Sequence, residues 1–160
     1  MEKLKQSGSR LKLLDMIAET VDFLRETCPE VKIVGVLSTI GTWKAGFYPK
    51  LLGEAGYEVR ILEEPQQQRL HDEALFHMEY GIKVQAHPVS KAARKVLLEG
   101  VRELEKQDVQ AVVLGCTEIP LGLPERKLGS TYLIDPCLIL ARALIREFCP
   151  EKLLPWSWKT

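Results

Sequence analysis

Short runs of apolar and β-branched residues alternate with helical stripes along this chain, and that alternation restricts the fold more than any other feature. The runs VKIVGVL (31–37), YEVRIL (57–62), VQAVVLGC (109–116) and TYLID (131–135) are short and predict strands. They are apolar almost throughout, as strands are when both faces of a parallel sheet are covered. The sequence therefore predicts an α/β single domain with a four-stranded parallel sheet flanked by helices on both faces.

Helices are predicted from the spacing of apolar residues and from signals at the helix ends. The first, ended by Pro29, has an apolar stripe made of Leu11, Leu14, Ile17, Ala18, Val21 and Leu24. The others are predicted from about Trp43 to Ala55, from Pro65 to Gly81, from Val89 to Leu104, and over residues 136–148 with Asp135 as N-cap.

The chain is divided into an N-terminal amphipathic helix (1–30), an α/β lobe (31–149) and a C-terminal tail (150–160). The tail contains Trp156 and Trp158, which either dock on the body or on another subunit, or belong to a frayed end.

Charge and hydropathy exclude several classes of partner. Lys and Arg total 22 and so do Asp and Glu, which gives no electrostatic attraction to nucleic acid or to an anionic membrane. No apolar run approaches the length of a membrane span, and MEKLKQSGSR leads into an amphipathic stretch rather than a signal sequence. We expect a cytoplasmic location.

Cysteine and histidine spacing gives no indication of a disulfide framework or a metal site. None of the cysteines forms a C-x-x-C pair, so free thiols are expected. His71 and His77 are six residues apart and do not share a helix face, while His87 precedes a proline. Because no cysteine lies at zinc-like spacing from them, we predict no metal.

Polar side chains follow the first predicted strand, at the edge where parallel sheets bind ligands. Ser38, Thr39, Gly41 and Thr42 offer hydroxyl donors and free helix N–H groups, and Gly41 permits a sharp backbone turn. The segment is interpreted either as a cradle for a carboxylate or phosphate, or as a hydroxyl-rich turn that only caps a helix. It lacks the glycines of a dinucleotide fingerprint and the lysine of a P-loop.

Cys116, Thr117 and Glu118 follow the third strand. A thiol aimed at nearby N–H dipoles is expected to have a lowered pKa, which would make it a base and a nucleophile. The alternative is that Cys116 is a small buried hydrophobe, and that interpretation is preferred for Cys28, Cys137 and Cys149.

Four segments, GVLSTIGTWKAGFY, YGIK, LGCTEIPL and LIDP, resemble in order and spacing the second half of the aspartate/glutamate (Asp/Glu/hydantoin) racemase family, from about Val31 to Ile145. Members of that family are cofactor-independent amino-acid racemases with two similar α/β halves and a site between them. The resemblance implies that Cys116 is a catalytic thiol and that Thr117, Thr39 and Thr42 hold the substrate α-carboxylate. It further implies that Lys83 lies near the substrate's other acid group and that Glu118 is an acid beside the cysteine.

Racemisation removes a proton from one face of the α-carbon and returns one to the other, so it needs two acid/base groups. The family's other cysteine, in a Pro-Cys-Asn-Thr type motif, has no counterpart in this sequence. We therefore expect an aspartate or glutamate racemase without its opposing thiol, either a truncated member or one half of a two-chain enzyme. A separate first-half chain or a homo-oligomer is the expected source of the second thiol. The alternatives are a single-cysteine decarboxylase or isomerase of the same superfamily, like arylmalonate decarboxylase, and a non-catalytic carboxylate-binding remnant.

Overall fold

The structure, a computed structural model, describes residues 12–158 as one β-sheet between two layers of helices. The strands are β1 (Ile33–Ser38), β2 (Glu58–Ile61), β3 (Ala111–Gly115), β4 (Lys127–Leu128) and β5 (Thr131–Ile134). The α-helices are α1 (Met16–Thr27), α2 (Ile40–Ala45), α3 (Phe47–Glu54), α4 (Glu64–Arg69), α5 (Lys91–Glu105), α6 (Ile119–Gly122) and α7 (Pro136–Phe148). A π-helical segment, Leu70–Leu75, continues α4, and a 3₁₀ turn, Pro150–Lys152, follows α7.

The strand order is β2-β1-β3-β5-β4. The parallel pairing of β2, β1, β3 and β5 confirms the four predicted strands. The sheet has a fifth strand, because the two-residue β4 pairs antiparallel with β5 at the edge. A strand that short has no apolar period, so the sequence prediction of four strands missed it. From β1 the chain adds β2 on one side and β3 on the other, so the order of the strands reverses between β1 and β3. Parallel sheets bind ligands at such a switch point, beyond the carboxyl ends of the strands.

Alternate strand residues face opposite helix layers. Val34, Val36 and Val113 pack against α1, α3 and α7 on one face. Leu37, Val112 and Leu114 pack against α5 and the π-helical segment on the other. Because both faces are covered at the centre of the sheet, β1 and β3 are apolar almost throughout, as predicted, whereas the edge strand β2 contains Glu58 and Arg60 and is partly exposed.

Two predicted helices differ from the structure. The helix predicted from Trp43 to Ala55 is two helices, because Gly46 has a left-handed φ of 64° that ends α2 and starts α3. The helix predicted up to Gly81 does begin beside Pro65, yet it leaves helical geometry after Leu75. Gly81 then packs against the backbone of His77, where a Cβ would approach the amide nitrogen to 2.5 Å. Gly81 therefore belongs to a turn and is not the end of the helix.

The remaining helices match the predictions closely. α5 begins two residues after the predicted start and ends one residue after the predicted end. α7 starts at Pro136 with Asp135 as its N-cap, as predicted. α1 carries Ile17, Val21 and Leu24 of the predicted stripe and packs against α7, with an Arg146–Glu19 ion pair at 2.7 Å between them. Leu14 precedes the helix, Ala18 is exposed, and Leu11 lies outside the described residues. The division at residues 30 and 149 stays a prediction. No helix within residues 12–158 has the length and apolar character to cross a membrane.

The tail docks on the body of the domain. The Trp156 ring lies 4.7 Å from that of Phe23, and the Trp158 ring lies 4.4 Å from that of Tyr132. The guanidinium of Arg126 lies 4.5 Å from the centre of the Trp156 ring. Of the two interpretations left open by the sequence, the structure favours docking on the body.

Candidate active site

The carboxyl ends of three adjacent parallel strands bring Thr39, Cys116 and Asp135 to one edge of the sheet. A cavity of about 260 Å³ lies there. This volume is below the ~300–1,000 Å³ of sites for drug-sized ligands, so the cavity suits a metabolite-sized molecule. Its lining comprises Met16, Thr39, Thr42, Tyr48, Lys83, Leu114, Gly115, Cys116, Thr117, Glu118, Pro136 and Cys137.

The site residues suggested by the sequence that line this cavity are Thr39, Thr42, Lys83, Cys116, Thr117 and Glu118, whereas Ser38 and Gly41 do not line it. Gly41 is the exposed second residue of α2 and has ordinary helical backbone, so the sharp turn predicted there is wrong. The left-handed glycine of this region is Gly46, five residues further on. Most of this polar segment is helical, because α2 begins at Ile40.

Glu118 is the centre of the polar contacts in the cavity. Its carboxylate accepts a hydrogen bond from the Cys116 thiol at 2.9 Å and another from the Thr117 hydroxyl at 2.7 Å. It also forms an ion pair with the Lys83 ammonium. Cys116, Thr117 and Lys83 are therefore tied to one carboxylate.

The pKa of the Cys116 thiol is raised to about 11, the reverse of the lowering expected from its position. Burial is the largest cause, and the hydrogen bond to Glu118 and that carboxylate's charge add to it. The Glu118 backbone N–H and the Lys83 charge lower the pKa by less than this. At neutral pH Cys116 is a thiol and a proton donor.

The Glu118 carboxyl is shifted in the opposite direction. Burial, the largest single effect, raises its pKa, but hydrogen bonds from Cys116, Lys83 and Thr117 together outweigh burial and lower the pKa to about 2. At neutral pH the pair therefore consists of a protonated thiol and an ionised carboxylate.

Lys83 reaches the cavity from the turn after the π-helical segment. Its backbone N–H donates to the Leu75 carbonyl at 3.1 Å, and the preceding residue, Ile82, is fully buried in the core. The ammonium also lies 5.3 Å from the centre of the Phe76 ring. These contacts hold a side chain that is only 32% exposed, whereas its position in the sequence alone suggests a solvated surface charge.

The hydroxyls of Thr39 and Thr42 are linked by a hydrogen bond, and both residues line the cavity. The Thr39 hydroxyl caps α2 by accepting from the Thr42 N–H at 3.3 Å, and it donates to the Thr42 hydroxyl at 3.2 Å. The segment therefore caps a helix and also lines the cavity, and its use as a cradle for a carboxylate or phosphate stays a prediction. The Thr42 hydroxyl keeps its own proton available to a ligand.

Sequence reasoning missed two cavity residues with reactive side chains, Tyr48 and Cys137. Cys137 is half-buried and lines the cavity, which corrects its interpretation as a buried hydrophobe. Its place just after β5 was the available signal, whereas nothing local in the sequence points to Tyr48. Asp135 does not line the cavity but caps α7, with bonds from the N–H groups of Cys137 and Leu138.

A larger surface groove, of about 620 Å³, lies at the opposite edge of the sheet. Residues from the end of α5 and the start of β5 line this groove, and none of the predicted site residues is among them. Among the residues that the structure describes, no group of three or more His, Cys, Asp or Glu side chains is arranged to hold a metal ion.

Comparison with known proteins agrees with the geometry of this edge. Residues 4–144 match the profile of the Asp/Glu/Hydantoin racemase family. The chain belongs to this family. The match covers most of the sequence and includes every residue of the cavity.

Individual relatives extend the comparison. The chain is 35% identical over 135 residues to a glutamate racemase of Carboxydothermus hydrogenoformans, a match that spans 82% of this chain and 46% of that protein. Its fold is similar to that of the Picrophilus torridus aspartate racemase, with a TM-score of 0.64, 27% identity, and coverage of 84% of this chain and 52% of the other. It is also similar in fold to an aspartate racemase homologue from Pyrococcus horikoshii, with a TM-score of 0.68, 24% identity, and coverage of 89% and 58%. The chain thus spans about half the length of these relatives.

Proposed function

We propose that this racemase-family chain transfers a proton at the α-carbon of an acidic amino acid, aspartate or glutamate, with Cys116 as the acid/base group. The observation that carries the proposal is the 2.9 Å hydrogen bond between the Cys116 thiol and the Glu118 carboxylate inside the cavity. A thiol and a carboxylate in contact provide a proton and a place to which it can move. The reaction needs no cofactor.

The hydroxyls of Thr39, Thr42 and Thr117 are the proposed ligands of the substrate α-carboxylate. As the α-proton leaves, negative charge spreads onto that carboxylate, and fixed donors stabilise it. Thr117 points to Glu118 in the present arrangement, so it must turn its hydroxyl toward the ligand on binding.

Lys83 is proposed to bind the second acid group of the substrate. Its ammonium is paired with Glu118, so an incoming carboxylate must compete for it. Loss of that pairing removes one of the contacts that hold the Glu118 pKa at about 2. Substrate binding would thereby make Glu118 a better acceptor for the Cys116 proton.

The opposing acid/base group is proposed to come from outside this chain. Racemisation needs groups on both faces of the α-carbon, and the relatives are about twice as long. We propose that a separate first-half chain or a second copy of this chain supplies it. The cytoplasmic location stays a prediction.

A one-sided reaction is the second candidate. The raised pKa of Cys116 keeps this thiol protonated, which suits a single-cysteine decarboxylase or isomerase that delivers one proton to one face of a carbanion. Such an enzyme needs no opposing thiol.

Proton exchange in heavy water separates these functions. We expect the chain to place deuterium at the α-carbon of L-aspartate or L-glutamate, as followed by NMR. Cys116→Ala should abolish the exchange, and Cys149→Ala, which removes a thiol outside the cavity, should not. Exchange with loss of optical activity supports the racemase, and exchange with retention supports the one-sided reaction. Stabilisation by aspartate without any exchange would contradict proton transfer and indicate a binding remnant.

A further inference from the structure

Tyr48 on α3 is the most enclosed polar side chain in the cavity. Only 3% of the residue is exposed, and its ring packs on the end of β3 beside Cys116. Gly115 makes this position possible, because a Cβ there would approach Tyr48 Cε2 to 2.9 Å. The glycine before the cysteine thus admits the ring to the cavity wall.

The Tyr48 hydroxyl has no hydrogen-bond partner within residues 12–158. The carboxylates that act on it electrostatically are Asp135 and Asp15. Both are occupied with helix capping, Asp135 at α7 and Asp15 at α1. A ligand acceptor within reach of this hydroxyl would therefore supply a hydrogen bond that the described part of the chain does not.

The Tyr48 hydroxyl is nevertheless not completely covered by the protein. The completely covered, unpartnered side-chain polar atoms in the described part of the chain are Gln67 Oε1, Glu99 Oε2 and Trp156 Nε1. The Tyr48 oxygen is not among them, although the rest of the residue is buried. The Tyr48 oxygen therefore keeps some accessible surface, in a residue that lines the cavity.

The surroundings keep this phenol protonated. Burial is the main cause that raises its pKa to about 12. Repulsion from Cys137 and Cys116, once these thiols ionise, and from the Asp135 and Asp15 carboxylates adds to it. At neutral pH the phenol is therefore protonated and can donate a hydrogen bond. The chemical group that complements it is an acceptor, and a carboxylate is the strongest one available from an amino acid.

From these contacts we propose that the Tyr48 hydroxyl binds a carboxylate oxygen of the substrate, as a donor additional to the threonine hydroxyls. The proposal rests on the proposed function for the ligand class, a small carboxylate. Two helices of 12 and 13 residues, α1 and α7, begin at the cavity with Met16 and Pro136, and their positive ends favour an anion beside Tyr48.

Tyr48→Phe tests the proposal because it removes only the unpaired hydroxyl. We expect binding of L-aspartate, L-glutamate or malonate, measured by calorimetry, to weaken by about tenfold. The unfolding temperature without ligand should be unchanged or raised, since no protein hydrogen bond is lost. Tyr57→Phe is the matched control, because it removes a phenol outside the cavity, and it should bind like the unsubstituted protein.

The outcomes for Tyr48 and for proton transfer are distinct. Equal affinity in Tyr48→Phe and the unsubstituted protein overturns the role of Tyr48 and leaves the exchange experiment to decide the reaction. Weakened binding without α-proton exchange supports Tyr48 and contradicts the reaction. If the unsubstituted protein binds none of the three probes, the assignment of a carboxylate to Tyr48 is wrong.

Discussion

At the scale of single residues, the sequence predicts where Cys116 lies but not the pKa of its thiol. Its location after a buried strand follows from the sequence. The raised pKa does not, because it depends on how deeply the thiol is buried and on the direction in which Glu118 points. Glu118 turns back toward the thiol and acts as an acceptor, so that nearby N–H groups do not dominate.

Replacing Glu118 should make Cys116 more acidic. Glu118→Gln removes the negative charge that opposes the thiolate and frees Lys83, so the Cys116 pKa should fall from about 11 toward 9. Alkylation of Cys116 by iodoacetamide near neutral pH should then accelerate about tenfold or more. Mass spectrometry across a pH series measures the rate of this alkylation and hence the Cys116 pKa. Glu125→Gln, which removes a carboxylate paired with Arg94, is the control and should leave the profile unchanged. A Cys116 pKa that stays constant or rises in Glu118→Gln would contradict this reading.

Glu118 should also contribute to the acid dependence of stability. Its pKa is about 2 in the folded protein and 4.5 in the reference state, so the folded state favours the ionised form. That contribution is present above about pH 4.5 and is lost as the pH falls toward 2. The urea midpoints of Glu118→Gln and the unsubstituted protein should therefore differ most near neutral pH and converge in acid. A difference that stays constant over this range would be inconsistent with the lowered pKa.

At the scale of elements, glycine geometry decides where helices begin and end. The apolar spacing predicts one helix over residues 43–55, and the structure has two because Gly46 is left-handed. The break directs α3 so that Tyr48 reaches the core and the cavity. Gly53 lies in the same helix with right-handed backbone and free space around it.

Alanine at these two glycines should have opposite effects. Gly46→Ala should lower the free energy of unfolding by about 1–2 kcal/mol, because a side chain is disfavoured at positive φ. Gly53→Ala should raise it by up to about 1 kcal/mol, since alanine is the better helix former. Urea unfolding followed by circular dichroism measures both. Changes of the same sign in the two variants would show that backbone conformation is not the cause.

At the scale of the whole molecule, the tail closes one side of the domain. Trp156 and Trp158 join Phe23 of α1 and Tyr132 of β5, which lie far from the tail in sequence. Arg142 of α7 donates to the Leu154 carbonyl at 2.9 Å and fixes the path of the chain. The tail is therefore part of the packing of the domain.

Removing the Trp158 ring should destabilise the domain. Trp158→Ala loses the contact with Tyr132 and should lower the free energy of unfolding by about 1–3 kcal/mol. Leu154→Ala truncates a tail residue that is 76% exposed and should change it by less than about 0.5 kcal/mol. Thermal unfolding of both variants measures this. Equal stability of Trp158→Ala and the unsubstituted protein would mean that the docked tail adds nothing.

The sequence by itself determined the α/β class, the four parallel strands, the Asp135 cap and the edge at which Thr39 and Cys116 meet. These features follow from apolar periods, capping residues and the geometry of parallel sheets, all of which are local or general. Only the tertiary structure decided that Lys83, 35 residues before Glu118, pairs with it, that Cys116 is held as a thiol, and that Tyr48 lines the cavity. The physical reason is that charge pairing, burial and pKa depend on contacts between distant parts of the chain, and no local pattern encodes them.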